Sequence, residues 1–230
     1  MKYSDVWLVI PCFNEATVIR DVIANARKTF PNIVAVDDGS KDGSPEQILA
    51  GGAHLVQHPV NLGQGAAIQT GVEYARAQPG ARIFVTFDAD GQHQVHDVEN
   101  MIARLRQDDL DIVVGTRFGA YERESSQVPL LKRIVLRIVV ALSPKLKRLG
   151  LSDAHNGLRV MGHRFGNALQ LRMNGMSHAS EFVDIMGSGD WAVGEEPVDV
   201  LYTEYSMSKG QSLFNGVNIL ADGLLGKRLD

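Results

Sequence analysis

The 230-residue chain has one cysteine, Cys12, so it cannot close an internal disulfide, and the disulfide-stapled scaffolds of oxidising compartments are excluded. It has no run approaching the roughly 18 uncharged apolar residues that a membrane-spanning helix requires. The opening Met1-Lys2-Tyr3-Ser4-Asp5 carries no signal-peptide pattern. A cytoplasmic protein with no span of its own is therefore the expectation. A basic surplus is missing too: a net charge of -4 gives no overall attraction to nucleic acid, so nucleic acid is not an expected partner and any anionic partner must meet a local basic patch. Internal repeats and low-complexity tracts are absent. What remains, 44% hydrophobic and 22% charged residues, is an ordinary globular composition, long enough to bury most of its apolar surface around one core.

Apolar runs alternate with helical patterns in the first half, which is the signature of βα units feeding a mostly parallel sheet. The pattern predicts strands at 6–10, 33–36, 54–57, 82–87 and 111–114, and helices at about 16–29, 44–50, 64–77 and 95–107. Further on it predicts short strands at 157–161 and 198–202, a helix near 180–187 and a terminal helix at 213–228. The expected organisation is one α/β domain over 1–212 and a helical extension over 213–230. Residues 130–149 are apolar with six interspersed cations and no acid. That segment reads either as a basic amphipathic surface for a membrane interface or as an ordinary helix pair packed on the sheet.

Four predicted strands end in polar loops: Pro11-Cys12-Phe13-Asn14-Glu15, Asp37-Asp38-Gly39-Ser40, Asp88-Ala89-Asp90-Gly91-Gln92-His93 and Gly115-Thr116-Arg117. Ligands of open α/β sheets sit beyond the carboxyl ends of the strands, so these loops can share one crevice. Two carboxylates delivered together by Asp88-Ala89-Asp90 suit magnesium or manganese, hard ions that combine one or two carboxylates with substrate phosphates. Alone, the same triplet reads more readily as a solvated acidic turn. Asp38 can bind a base or ribose, or cap a turn. Asn61-Leu62-Gly63-Gln64-Gly65-Ala66-Ala67 lacks both the dinucleotide Gly-x-Gly-x-x-Gly and the P-loop Gly-Lys-Ser/Thr, and close packing of a helix on a strand explains its glycines better than phosphate binding.

In this order the motifs resemble the family 2 glycosyltransferases with a GT-A fold, from Val6 to about Ser212. With Ser152-Asp153-Ala154-His155-Asn156-Gly157-Leu158-Arg159 and Ser208-Lys209, they look most like the dolichyl-phosphate mannosyltransferase branch, whose members transfer a hexose to a polyprenyl phosphate. The chain departs from that branch at Phe13 (usually Tyr), Gln64 (usually Lys) and 156–159 (commonly Gly-Phe-Arg). It also lacks the Gln-x-x-Arg-Trp motif of processive synthases, so a single transfer is expected.

The resemblance implies an inverting transfer from a nucleotide-sugar donor, a UDP- or GDP-hexose. Pro11, Phe13, Glu15, Asp38, Asp88, Ala89 and Gln92 would line the donor site, and Asp88, Asp90 and Gln92 would surround Mg2+ or Mn2+. Asp90, Arg117 and Lys209 would serve catalysis, and Arg117, Arg133 and Arg159 would meet an acceptor phosphate. An anionic phosphate acceptor needs no strong general base. A saccharide hydroxyl in surface-polysaccharide synthesis does, with Asp153, Glu181 or Asp184 as candidates whose plainer reading is capping or solvation. His93 and His155 read as hydrogen-bonded structural residues. An embedded acceptor implies docking on the cytoplasmic membrane surface through 130–149, alone or with a small membrane-spanning partner subunit. A sugar-phosphate nucleotidyltransferase is disfavoured, because residues 11–15 are not the glycine- and arginine-rich loop of that class. A degenerate nucleotide-sugar binding module is disfavoured by the intact acids and cations.

Overall fold

A computed structural model describes residues 2–117, 148–153 and 156–201. Seven strands form one sheet in the order β3-β2-β1-β4-β6-β5-β7. They are β1 (Val6–Cys12), β2 (Asn32–Asp37), β3 (His54–Gln57), β4 (Ile83–Thr86), β5 (Ile112–Thr116), β6 (Arg159–Met161) and β7 (Val193–Pro197). All neighbours pair in parallel except β6, which runs antiparallel to both β4 and β5. The expected mostly parallel α/β sheet is what forms.

The central strands β1, β2, β4 and β5 are buried on both faces, which is why they read as largely apolar runs. Along β1, Val6, Leu8, Ile10 and Cys12 enter one core with Ile19 and Ile23 of α1 (Ile19–Arg27), Ile48 of α2 (Ser44–Gly51) and Met101 and Leu105 of α4 (Val95–Gln107). Trp7 and Val9 point the other way, toward Ile68 and Val72 of α3 (Gln64–Arg76), Phe165 of α5 (His163–Ala168) and Phe182 of α6 (His178–Ser188). From β1 the chain winds outward through β2 and β3, then returns to β4 on the opposite side of β1. The crevice between the carboxyl ends of β1 and β4 is thus a topological switch point.

Two sequence expectations need correction. The seventh strand is Val193–Pro197 rather than 198–202, the last residue of which lies outside the described residues. Val198 and Val200 alternate into the core as strand residues would, but Val-Gly-Glu-Glu-Pro makes the ladder with β5. Its polar Glu195 was misleading because that carboxylate is consumed internally, accepting from Ser152 N and Oγ and from Asp153 N. The six-residue α5 was not expected, being too short to show a helical period. The basic segment up to residue 147, Arg133, His155, Lys209 and the terminal helix at 213–228 lie outside the described residues.

Candidate active site

Three of the four strand-end loops converge. Pro11, Cys12, Phe13 and Glu15 after β1, Asp38 after β2, and Asp88, Ala89 and Asp90 after β4 line a cavity of about 370 Å³. Asn61, Gly63, Gln64 and Ala67 close one side, and Gly175 and Met176 form a further wall. The first two loops are stitched together: Asn14 N donates to Ser40 Oγ at 2.9 Å, Lys41 N to Asn14 Oδ1 at 3.0 Å and Glu15 N to Ser44 Oγ at 2.8 Å. Phe13 is left 44% exposed at the mouth, an apolar ring available to a planar ligand. Cys12 is no nucleophile, since burial pushes its thiol up to about 12.

Asp38 has a mainly architectural setting. Its Oδ1 accepts Leu62 N at 2.8 Å and lies 2.7 Å from His58 Nδ1, and its Oδ2 accepts Gly63 N at 2.7 Å. It therefore fixes the turn that starts α3. The glycines of that turn pack differently from expectation. A Cβ on Gly65 would stand 2.1 Å from Met173 O, so the close approach is to the backbone of the 173–175 segment rather than to a strand. Gly65 N donates to Asn174 O at 2.7 Å, which satisfies one of the amides a helix N-terminus would offer a phosphate.

Asp88 and Asp90 have contrasting environments. Asp88 Oδ2 lies 2.9 Å from His93 Nε2, and Oδ1 accepts from Gln64 Nε2 at 3.3 Å. Burial acts to raise its carboxyl, but the His93 bond and charge, with Arg159 and His178, outweigh it and leave Asp88 below the usual carboxylate range. Asp90 is held above that range by burial and by the neighbouring Asp88 charge. Its Oδ1 accepts Gln92 N at 3.0 Å, so Gln92 acts through its backbone and is not part of the cavity lining. Two neighbouring carboxylates whose like charges repel fit a divalent cation, which would relieve the repulsion and leave coordination positions for diphosphate oxygens. Asp88 and Asp90 would hold it.

Beneath them lies Arg159, 1% exposed, with its guanidinium 4.4 Å from the Phe182 ring centre and Nη1 3.4 Å from Gly157 O. Burial lowers its pKa to about 10, against the pull of Asp88 and Asp153. Arg159 is thus a buried counter-charge to the site, not a surface group. Arg117 turns to Asp153 in a two-pronged ion pair, Nε to Oδ2 at 2.6 Å and Nη2 to Oδ1 at 2.8 Å, and is not in the cavity lining. Of the general-base candidates, Asp153 is consumed by that pair and Glu181 by Arg172 N and Met173 N. His93 is the hydrogen-bonded structural residue that the sequence implies, and its partner is Asp88. Its position five residues after Asp88, across a turn, was the available signal. The contributions of Gly175 and Met176 carried none, because they come from a distant segment.

A cavity of about 370 Å³ at the switch point of a mostly parallel sheet, with an Asp-x-Asp turn in its lining, is the arrangement expected of a glycosyltransferase. The family model described as Glycosyl transferase family 2 matches residues 7–165, and the chain belongs to that family. Its relatives include the UDP-N-acetylglucosamine–dolichyl-phosphate N-acetylglucosaminyltransferase of Methanococcus voltae, 32% identical over 253 residues and 98% of both chains. They also include the dodecaprenyl-phosphate galacturonate synthase of Rhizobium johnstonii, 33% identical over 124 residues, 48% of this chain and 35% of that one. Among solved structures, glucosyl-3-phosphoglycerate synthase from Mycobacterium tuberculosis, in complex with Mn2+ and UDP-glucose, superposes with a TM-score of 0.71. That match has 17% identity and covers 95% of this chain and 76% of the other.

Proposed function

We propose that the enzyme transfers a hexose from a UDP- or GDP-sugar to a polyprenyl phosphate, with inversion and with Mg2+ or Mn2+ bound at Asp88 and Asp90. The observation that carries this reading is the Asp88–Asp90 pair at the end of β4, opening on a cavity whose far walls come from the β1 and β2 loops. The cation supplies neutralisation of the departing nucleoside diphosphate. The residues of the chain do the rest: Phe13 and the β1 loop receive the nucleoside, Asp88 stays ionised through His93, and Arg159 fixes a positive charge behind it.

A phosphate acceptor is supported by the engagement of Asp153 and Glu181, which leaves neither suited to take a proton from a sugar hydroxyl. It is also what the names of the Methanococcus voltae and Rhizobium johnstonii relatives specify for those proteins. No helix among the described residues is long and apolar enough to cross a membrane. The reading includes peripheral docking through the basic 130–149 segment, with Arg133 and Lys209 as the phosphate contacts, while Arg117 is engaged by Asp153. The test is transfer of radiolabel from UDP- and GDP-hexoses to polyprenyl phosphate in vesicles, beside a saccharide acceptor, with Mg2+, Mn2+ or chelator. Transfer to the saccharide alone, or full activity in chelator, overturns the reading.

A further inference from the structure

A second group of ligand atoms gathers where the first turn of α4 meets the chain just beyond β7. Among the described residues, His96, Asp97 and Asp199 are the one set of three such side chains whose ligand atoms all lie within 4.8 Å of one another. Asp97 sets this cluster apart from an ordinary acidic patch. It is 1% exposed; its Oδ2 accepts Asp199 N at 2.8 Å, whereas its Oδ1 is buried with no hydrogen-bond partner. A buried carboxylate oxygen with nothing donating to it is costly and calls for a cation or proton. Burial, opposed by the Asp199 amide and His96 and reinforced by the Asp199 carboxylate, keeps this carboxyl above its ordinary range.

The orphaned oxygen faces His96. Nε2 of that ring stands 3.2 Å from Asp97 Oδ1 and 4.0 Å from Asp199 Oδ2, and the shorter contact lacks the alignment of a hydrogen bond. Two atoms bound to one ion at about 2.0–2.2 Å, at tetrahedral or octahedral angles, lie roughly 2.9–3.5 Å apart and aim at the ion instead of at each other. The 3.2 Å separation matches such an edge. Asp199 Oδ2, 4.0 Å from His96 Nε2, with the three ligand atoms all within 4.8 Å of one another, completes the set on closing by roughly half to one ångström.

We propose that His96, Asp97 and Asp199 form a second divalent-cation site, selective for a borderline transition ion such as zinc or cobalt. The imidazole disfavours magnesium and calcium, while two carboxylates supply charge balance. The site is structural. It ties 198–201 to the start of α4, beside the point where Leu201 N donates to Gln92 O at 3.0 Å on the turn that carries Asp90.

The experiment is a Co2+ titration of D90N protein without nucleotide, which weakens the donor-site pair and leaves the second cluster intact, read by visible absorption and by the thermal shift that bound ligand produces. One equivalent with ligand-field bands is expected, and H96Q in the same background is expected to weaken binding by at least about tenfold, the scale of lost metal-site contacts. Absence of a bound equivalent, or equal binding by D90N and D90N/H96Q, overturns the proposal. Mn2+ binding by H96Q in the presence of UDP reports separately on the donor site, so failure of the one reading is distinguishable from failure of the other.

Discussion

A Cβ built on Gly157 would stand 2.3 Å from Asp88 Oδ2, so the turn before β6 presses directly on the carboxylate at the floor of the cavity. Gly157 O also accepts from Thr86 Oγ1 at 2.6 Å, which fixes that turn to the end of β4. The Gly157→Ala variant cannot relieve the clash by moving a flexible side-chain end alone, because Asp88 is held on both oxygens by His93 and Gln64. The expected outcome is a fold near wild type by circular dichroism, destabilised by about 1–3 kcal/mol, with donor KM raised by tenfold or more. Unchanged donor affinity refutes this account.

The opposite environments of Asp88 and Asp90 give opposite stability effects. Asp88 is depressed in the folded state, so it contributes stability above the unfolded carboxylate range that is lost as pH falls through its folded value. Asp90 is raised, so its charged form costs stability as pH rises through its folded value. At neutral pH without metal, Asp90→Asn is therefore expected to raise Tm and Asp88→Asn to lower it. Both should reduce kcat by about 10²–10³-fold, the scale of removing a group that stabilises transition-state charge. Melts in chelator beside initial rates check this, and a common sign of the Tm shift contradicts it.

His93 acts through Asp88. Its ring is buried, edge-on to Phe87 at 5.7 Å, with Nε2 2.9 Å from Asp88 Oδ2. His93→Phe removes the donor and the charge, so Asp88 rises toward ordinary carboxylate behaviour. Mn2+ affinity should drop about 10–100-fold, as for other outer-shell partners, and the acid limb of kcat/KM should move to higher pH. A loss of activity with an unmoved acid limb would assign His93 a packing role only.

Much of this site was legible because it is written at strand ends. Strands buried on both faces, such as Val6–Cys12 and Ile83–Thr86, betray themselves as apolar runs, and residues just beyond them line the cavity. The illegible parts depend on contacts across long sequence separations. Nothing local marks Arg159 as a buried cation held over Phe182, or Asp153 as the partner of Arg117. Glu195 looks like a solvated residue in sequence and proves to be the acceptor that shapes the 152–153 turn.

That last relationship bears on Arg117. Its partner Asp153 is fully buried at the side chain, and Arg117 itself is 11% exposed. Removing the guanidinium takes a two-pronged ion pair from a buried carboxylate, and breaking a buried pair by removing one partner costs about 3–5 kcal/mol. Arg117→Ala is thus expected to be strongly destabilised in denaturant melts, whereas Arg117→Ala/Asp153→Ala recovers much of that loss. If Arg117 acts on the acceptor phosphate as well, the recovered double variant remains inactive. If its role is the ion pair alone, activity returns with stability.

Gly65 provides the corresponding test of the cavity's other wall. Its Cβ position is 2.1 Å from Met173 O and 2.9 Å from His178 Cβ, and its N–H donates to Asn174 O. The segment ahead of Gly175 and Met176 is pinned on its far side by Glu181, which accepts Arg172 N and Met173 N at 2.9 Å. A methyl group at Gly65 must push this segment outward against that anchor, widening the cavity while α3 stays fixed by Asp38. Gly65→Ala is therefore expected to raise donor KM more than it lowers kcat, with destabilisation of about 1–3 kcal/mol. Adding Glu181→Gln weakens the anchor and lets the segment yield, so the combined loss of stability should be less than the sum of the two single changes. Strict additivity would show that the segment does not move as a unit, and that Gly65 is needed for reasons local to the helix start.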